Sequence, residues 1–179
     1  MTSANNSVLR TRCRAPETLD VLPKMKISYP PAFDPEMVGE YPAVAGAGGG
    51  YVWDEVLEYR VWCHPERGAP DELDGEDYYY PFETYEDALE FAKANPGTED
   101  PLALILQREH INETAEGVYV HVTEERRTEW PVEFLNRPRR TEHTIPDFLS
   151  PDAPPNRLEI IRGLAPNPRT TKAESGPRD

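Results

Sequence analysis

The stretch Tyr78-Tyr79-Tyr80-Pro81-Phe82-Glu83-Thr84-Tyr85-Glu86-Asp87-Ala88-Leu89-Glu90-Phe91-Ala92-Lys93-Ala94-Asn95-Pro96-Gly97 holds a strand, a capped helix and the signal that ends it. Three tyrosines and a phenylalanine suit a pleated surface, and Pro81 puts them at a sheet edge or a strand end. Thr84 is the N-cap of a helix in which Tyr85, Ala88, Leu89 and Ala92 fall at i, i+3, i+4 and i+7. Glu86 and Asp87 favour the positive end of the helix dipole, and Asn95-Pro96-Gly97 stops the helix. An amphipathic helix next to a short strand needs a sheet to cover.

The sheet reads on both sides of it. Val56-Leu57-Glu58-Tyr59-Arg60-Val61-Trp62-Cys63 is rich in β-branched and aromatic residues and ends at His64-Pro65. Alternation puts Glu58, Arg60 and Trp62 on one face, opposite Leu57, Tyr59, Val61 and Cys63. Residues 102–111 and 118–125 read as two strands of a hairpin joined by a turn at 112–117, and Trp130-Pro131 opens a short helix over 132–135. The order ββαββα over residues 51–135 implies an α+β fold, a small antiparallel sheet with one main helix packed on it. Around this core the expected organisation is a flexible lead at 1–26, a Pro/Gly-rich flank at 27–50, a wrapping flank at 136–165 and a disordered tail at 166–179. Six of the 20 prolines lie in residues 1–50 and eight in 136–179, which marks the flanks.

The net charge of −14 is local. Residues 51–100 carry −12 of it, with a concentration at Asp71, Glu72, Asp74, Glu76 and Asp77 that reads as a solvated loop over 66–77. Acidity on this scale argues against general nucleic-acid binding, which needs clustered Lys and Arg. No run of about 18 apolar residues exists, so no membrane partner is expected, and without a secretory signal the expected location is cytoplasmic. Two cysteines, Cys13 and Cys63, make neither a disulfide framework nor a zinc knuckle. Cys63 reads as a small core residue, and Cys63-His64 point apart, so no metal site is expected. The basic cluster Arg137-Pro138-Arg139-Arg140 could contact an acidic partner or fold back on the Asp71–Asp77 loop.

Two features could carry a ligand. In the first, pairing Ile111 with Val118 sets Arg108 opposite His121 and His110 opposite Tyr119, all on one side of the hairpin. Aligned with Arg60 and Trp62 of the preceding strand, they would form a basic, aromatic-edged sheet face suited to a carboxylate or phosphate. The bland alternative is a sheet face that meets water. In the second, Gly46, Gly48, Gly49 and Gly50 could present successive N–H groups as an anion nest, or act as a hinge.

Residues 48–63, Asp77-Tyr78-Tyr79-Tyr80, Leu102-Ala103-Leu104-Ile105-Leu106-Gln107-Arg108-Glu109 and Thr128-Glu129-Trp130-Pro131-Val132-Glu133-Phe134-Leu135 resemble a set of short, mainly alphaproteobacterial proteins labelled GCN5 family acetyltransferase. The resemblance covers roughly residues 27–165. It implies an acyl-CoA-dependent N-acetyltransferase or a degenerate relative, with acetyl-CoA as cofactor. The acetyl-CoA loop of that family, Arg/Gln-x-x-Gly-x-Gly/Ala between strand and helix, has its counterpart at Arg126-Arg127-Thr128-Glu129-Trp130-Pro131, which lacks the glycines. No catalytic residue is carried over. The leading expectation is therefore a small binding or accessory protein without a cofactor, whose partner is another protein or a small anionic ligand. A third reading gives the acidic loop to a basic partner.

Overall fold

The computed structural model describes residues 28–166 apart from residue 44. The expected lead and nearly all of the expected tail, with Cys13, lie outside the described residues. The fold is α+β. Seven strands, β1 (Gly46–Ala47), β2 (Glu55–Cys63), β3 (Tyr78–Phe82), β4 (Leu102–Gln107), β5 (His110–Ala115), β6 (Val118–Val122) and β7 (Arg126–Pro131), are joined by three helices. These are α1 (Tyr85–Ala94), α2 (Thr144–Leu149) and α3 (Arg157–Ile161). Strands run β1-β7-β4-β2-β3 in the main sheet, parallel only at β1–β7, while β5 and β6 form a separate hairpin.

Helix α1 forms where its local signals put it. The Thr84 hydroxyl accepts the Asp87 amide at 3.2 Å and donates to the Asp87 carboxylate at 2.6 Å. Its inner face and the sheet enclose one core containing Val56, Tyr59, Val61, Ala88, Ala103, Ile105 and Trp130. A second core joins the hairpin to the C-terminal helices through Val52, Ile111, Ile145, Phe148 and Ile161. Residues flanking 51–135 thus supply buried side chains, Ala32 among them.

Three expectations about the strands need correction. The apolar run 102–111 is two strands, because the chain turns at Arg108-Glu109, where the Arg108 amide donates to the Asp54 carboxylate at 2.7 Å. Residues 126–131 form β7, which pairs with β4 along its whole length. The order after α1 is therefore four strands and a 3₁₀ turn at Val132–Asn136, not the expected two strands and a helix. The hairpin register also differs. Ile111 pairs with His121 and His110 with Val122, because the turn is at Glu116-Gly117 and a bulge sits between Glu113 and Ala115. Arg108 lies before β5 and faces no residue of β6.

Candidate functional site

Strand β2 positions the first group of charged residues. A bulge between Val56 and Glu58 sets Glu58 and Arg60 on the face opposite Val56, Tyr59 and Val61. That face does not meet water at Glu58 and Arg60, which are buried beneath Gly39, Pro42 and Ala43. Arg60 is fully buried. Its Nε donates to Glu58 at 2.7 Å, Nη1 to Glu129 at 2.9 Å and to the Ala43 carbonyl at 3.2 Å, and Nη2 to the Pro42 carbonyl at 2.8 Å. The Tyr79 ring lies 4.3 Å from the guanidinium carbon. Glu58 in turn accepts the Gly39 amide at 2.8 Å, and half-buried Trp62 donates to Glu129 at 3.3 Å. Arg60 therefore fastens a flank to the sheet, and its expected ligand role is withdrawn: the guanidinium is spent on protein partners.

The glycine run docks on the opposite face. Thr128 donates to the Gly46 carbonyl at 2.7 Å, Arg126 to that of Gly48 at 3.5 Å, and Gln107 and Trp130 to that of Gly49 at 3.3 and 3.2 Å. The carbonyl of Gly50 accepts from Val52 and Ile111. These contacts have the opposite polarity from the expected amide cradle for an anion. Gly50 has φ +82°, a conformation in which any other side chain is strained, and a Cβ there would press on the Gln107 amide and the Arg126 guanidinium.

The second charged group gathers around Asp54, a residue that sequence reasoning missed. Asp54 is 4% exposed. Its carboxylate accepts Arg140 Nε at 2.8 Å and Nη2 at 2.7 Å, and Arg108 Nη1 lies at 3.6 Å. Hydrogen bonding to Asp54 pushes the Arg140 pKa up against the opposing effect of burial. Arg139 donates to the Asp54 carbonyl at 2.7 Å and pairs with Glu55. Glu109 extends the network, taking Arg140 at 3.4 Å and His121 at 3.0 Å. The basic cluster thus folds back on Asp54, Glu55 and Glu109, not on the Asp71–Asp77 loop.

The expected ligand face is accordingly divided. Arg108 and His121 meet through the Asp54–Arg140–Glu109 network. Tyr119 turns into the second core, edge-on to Phe148 at 5.0 Å and to Tyr51 at 6.0 Å. His110 is buried beside Arg126, which with burial lowers its pKa, and its Nδ1 has no hydrogen-bond partner among the described residues. Arg60 and Trp62 form their own group with Glu129 and Tyr79. Cys63 is buried with Ala69 and Tyr78, while His64 points away, Nδ1 at 2.9 Å from Asp77 and Nε2 at 3.0 Å from Glu99. Among the described residues no three His, Cys, Asp or Glu side chains are grouped to hold a metal.

The network borders a groove of about 790 Å³ between residues 136–144 and the α2–α3 pair. Its apolar lining includes Pro138, Phe148, Ile160, Ile161 and Leu164, and Arg139, His143, Asp147 and Arg157 supply charge or polarity. Arg157 donates to the Phe148 carbonyl at 3.1 Å and lies 5.1 Å from the Phe148 ring centre. It makes no ion pair among the described residues. Gly163 closes the end of α3 onto residue 136, where a Cβ would strike the Asn136 carbonyl. Residues 136–166 hold five arginines against four carboxylates, which sets this region apart from the acidic remainder.

Compared with known proteins, the chain matches no family model, no curated protein and no solved structure. Among the described residues no helix is long and apolar enough to cross a membrane.

Proposed function

We propose that this chain is a small binding module whose groove between residues 136–144 and α2–α3 takes an apolar group carrying a carboxylate or phosphate. The observation that carries this reading is a ligand-sized groove, apolar along Phe148, Ile160 and Ile161, with the Arg157 guanidinium at its wall free of any ion pair among the described residues. A half-desolvated guanidinium retains donors for an anion in bidentate geometry, and the apolar lining favours a hydrocarbon tail over a bare ion. Arg108 and His121 contribute indirectly, since their network fixes Arg139 and Arg140 at the groove's border.

The test is a thermal-shift series at low salt with octanoate, octyl phosphate, octanol and acetyl-CoA. A ligand well above its dissociation constant raises the transition temperature. The expected result is a shift with octanoate or octyl phosphate, little with octanol, and loss of the shift in Arg157→Ala. Equal shifts with the alcohol and the acid, or none with either anion, defeat the reading. An acetyl-CoA shift that survives Arg157→Ala but disappears in Arg126→Ala would favour the competing acyl-CoA-dependent reading.

A further inference from the structure

Each edge of the main sheet carries a device against pairing with another chain. Edge strand β3 contains Pro81, which has no N–H to offer, and β1 at the other edge is only two residues long. The hairpin is built differently. β5 is bridged on its outer side to Gly50 at Ile111, but β6 ends its two-stranded sheet with no further strand paired to it among the described residues. β6 reads Val118-Tyr119-Val120-His121-Val122, with no proline, glycine, lysine or carboxylate, and it has no bulge of its own. Tyr119 packs against Phe148 and, on the same side of the strand, His121 pairs with Glu109 at the surface, whereas Val118 and Val120 on the other side are 51% and 39% exposed. An uncharged strand of high β-propensity at an open edge is a template for a further strand.

From this contrast we propose that β6 pairs antiparallel with β6 of a second copy of the chain, joining two hairpins into a four-stranded sheet. The strand is self-complementary. A two-fold axis through Val120 sets Val118 opposite Val122 of the second copy, Tyr119 opposite His121, and Val120 opposite its own equivalent. Shifting the register by one would pair inward with outward side chains, and shifting it by two would leave residues of β6 unpaired. No carboxylate meets another within the strand. Just beyond it, the Glu116-Gly117 turn of one copy comes to the end where Glu124 leaves β6 of the other, so like charges flank the contact and salt strengthens it.

The test is sedimentation equilibrium of the full 179-residue chain from micromolar to millimolar concentration, with hydrogen exchange at the β6 amides. A reversible dimer is expected, tighter at high salt, with exchange at β6 slowed as concentration rises. Val120→Lys puts two ammonium groups face to face and should weaken the dimer by roughly tenfold or more, since like charges directly opposite destabilise a sheet pair. Glu116→Lys replaces two flanking repulsions by attractions and should tighten the dimer roughly threefold or more. Circular dichroism checks that both variants keep the fold. A strict monomer overturns the proposal, including one with slowly exchanging β6 amides, in which some other segment covers the edge. So does a dimer indifferent to Val120→Lys, or one weakened by Glu116→Lys.

Discussion

The molecule uses arginine in two ways within one sheet. Around Arg60, Glu58 and Glu129 the charges are shut in: the guanidinium and the Glu58 carboxylate are both fully buried, and residues 39, 42 and 43 take up the remaining hydrogen-bonding capacity. Around Asp54 the carboxylate is buried and Arg140 is only 18% exposed, while Arg108 and Arg139 are 46% and 56% exposed. The first cluster fixes a flank and has nothing left to give a ligand. The second anchors its cations at one end and leaves the other end in solvent beside the groove. On the proposed reading, the buried acid with exposed bases marks a positioned binding surface, whereas the fully buried pair is a structural lock.

The most direct way to break the comparison is Arg60→Met. Similar volume is kept, but Glu58 becomes a buried charge without its counter-ion, and removing one member of such a pair costs about 3–5 kcal/mol. Denaturant unfolding should show that loss, and adding Glu58→Gln should recover part of it. A double variant no better than the single one would mean that the Glu58 charge is not what makes the site expensive to disturb. In the second cluster, Asp54→Asn keeps the shape and removes the charge that Arg140 and the Arg108 amide share. The expected loss is about 1–3 kcal/mol, the range for leaving a buried hydrogen-bonding group mismatched. Ligand affinity in the groove should change less than stability, because the Asp54 main-chain carbonyl that holds Arg139 is kept.

Arg139→Ala probes the exposed end. Its pair with Glu55 is open to solvent on the arginine side, so the stability change should lie within about 1 kcal/mol and shrink with added salt. Octyl phosphate affinity should drop by more than stability does. Equal losses in both would place Arg139 with Arg60 as a structural residue.

Much of the first region was legible from short-range signals. The Thr84 cap, the i, i+3, i+4 spacing and the stop at residues 95–97 sit within a few residues of each other, and so does the alternation in β2. Strand β7 was missed because Arg126, Arg127 and Glu129 look like a solvated connection. Their charges are absorbed by distant groups, Glu129 by Arg60 and Arg127 by the Tyr41 ring at 5.7 Å. A period of two was present, with Thr128 and Trp130 inward and fully buried, and would have been the signal. The bulge at residue 57 and the hairpin register depend on pairing partners, which no local pattern specifies. Asp54 had no signal at all. It is one acid between Trp53 and Glu55, and it matters only because residues 137–140 return to it across more than eighty positions of chain, with the Arg140 amide on the Trp53 carbonyl at 2.7 Å.

The smallest expected effect comes from His110, which the sequence placed on an open polar face and the fold places inside. Burial first, and Arg126 second, hold its pKa below the ordinary 6.5. The unfolded chain therefore binds a proton at a pH where the folded chain does not, and the sign of the linkage follows. Its neutral-state stability is fully present above pH 6.5 and is lost as pH falls from there through the lowered folded value. His110→Gln has no proton to take up and should flatten that part of the acid limb, whatever it does to stability at neutral pH. Arg126→Gln removes the second cause and should move the limb to higher pH in the folded state, shortening the window over which stability falls. Unfolding midpoints between pH 5 and 8, the interval in which an unperturbed imidazole changes charge, read both variants. A wild-type acid limb unchanged by His110→Gln would show that other groups set it, and that the imidazole beside Arg126 is no more perturbed than one on a solvated sheet face.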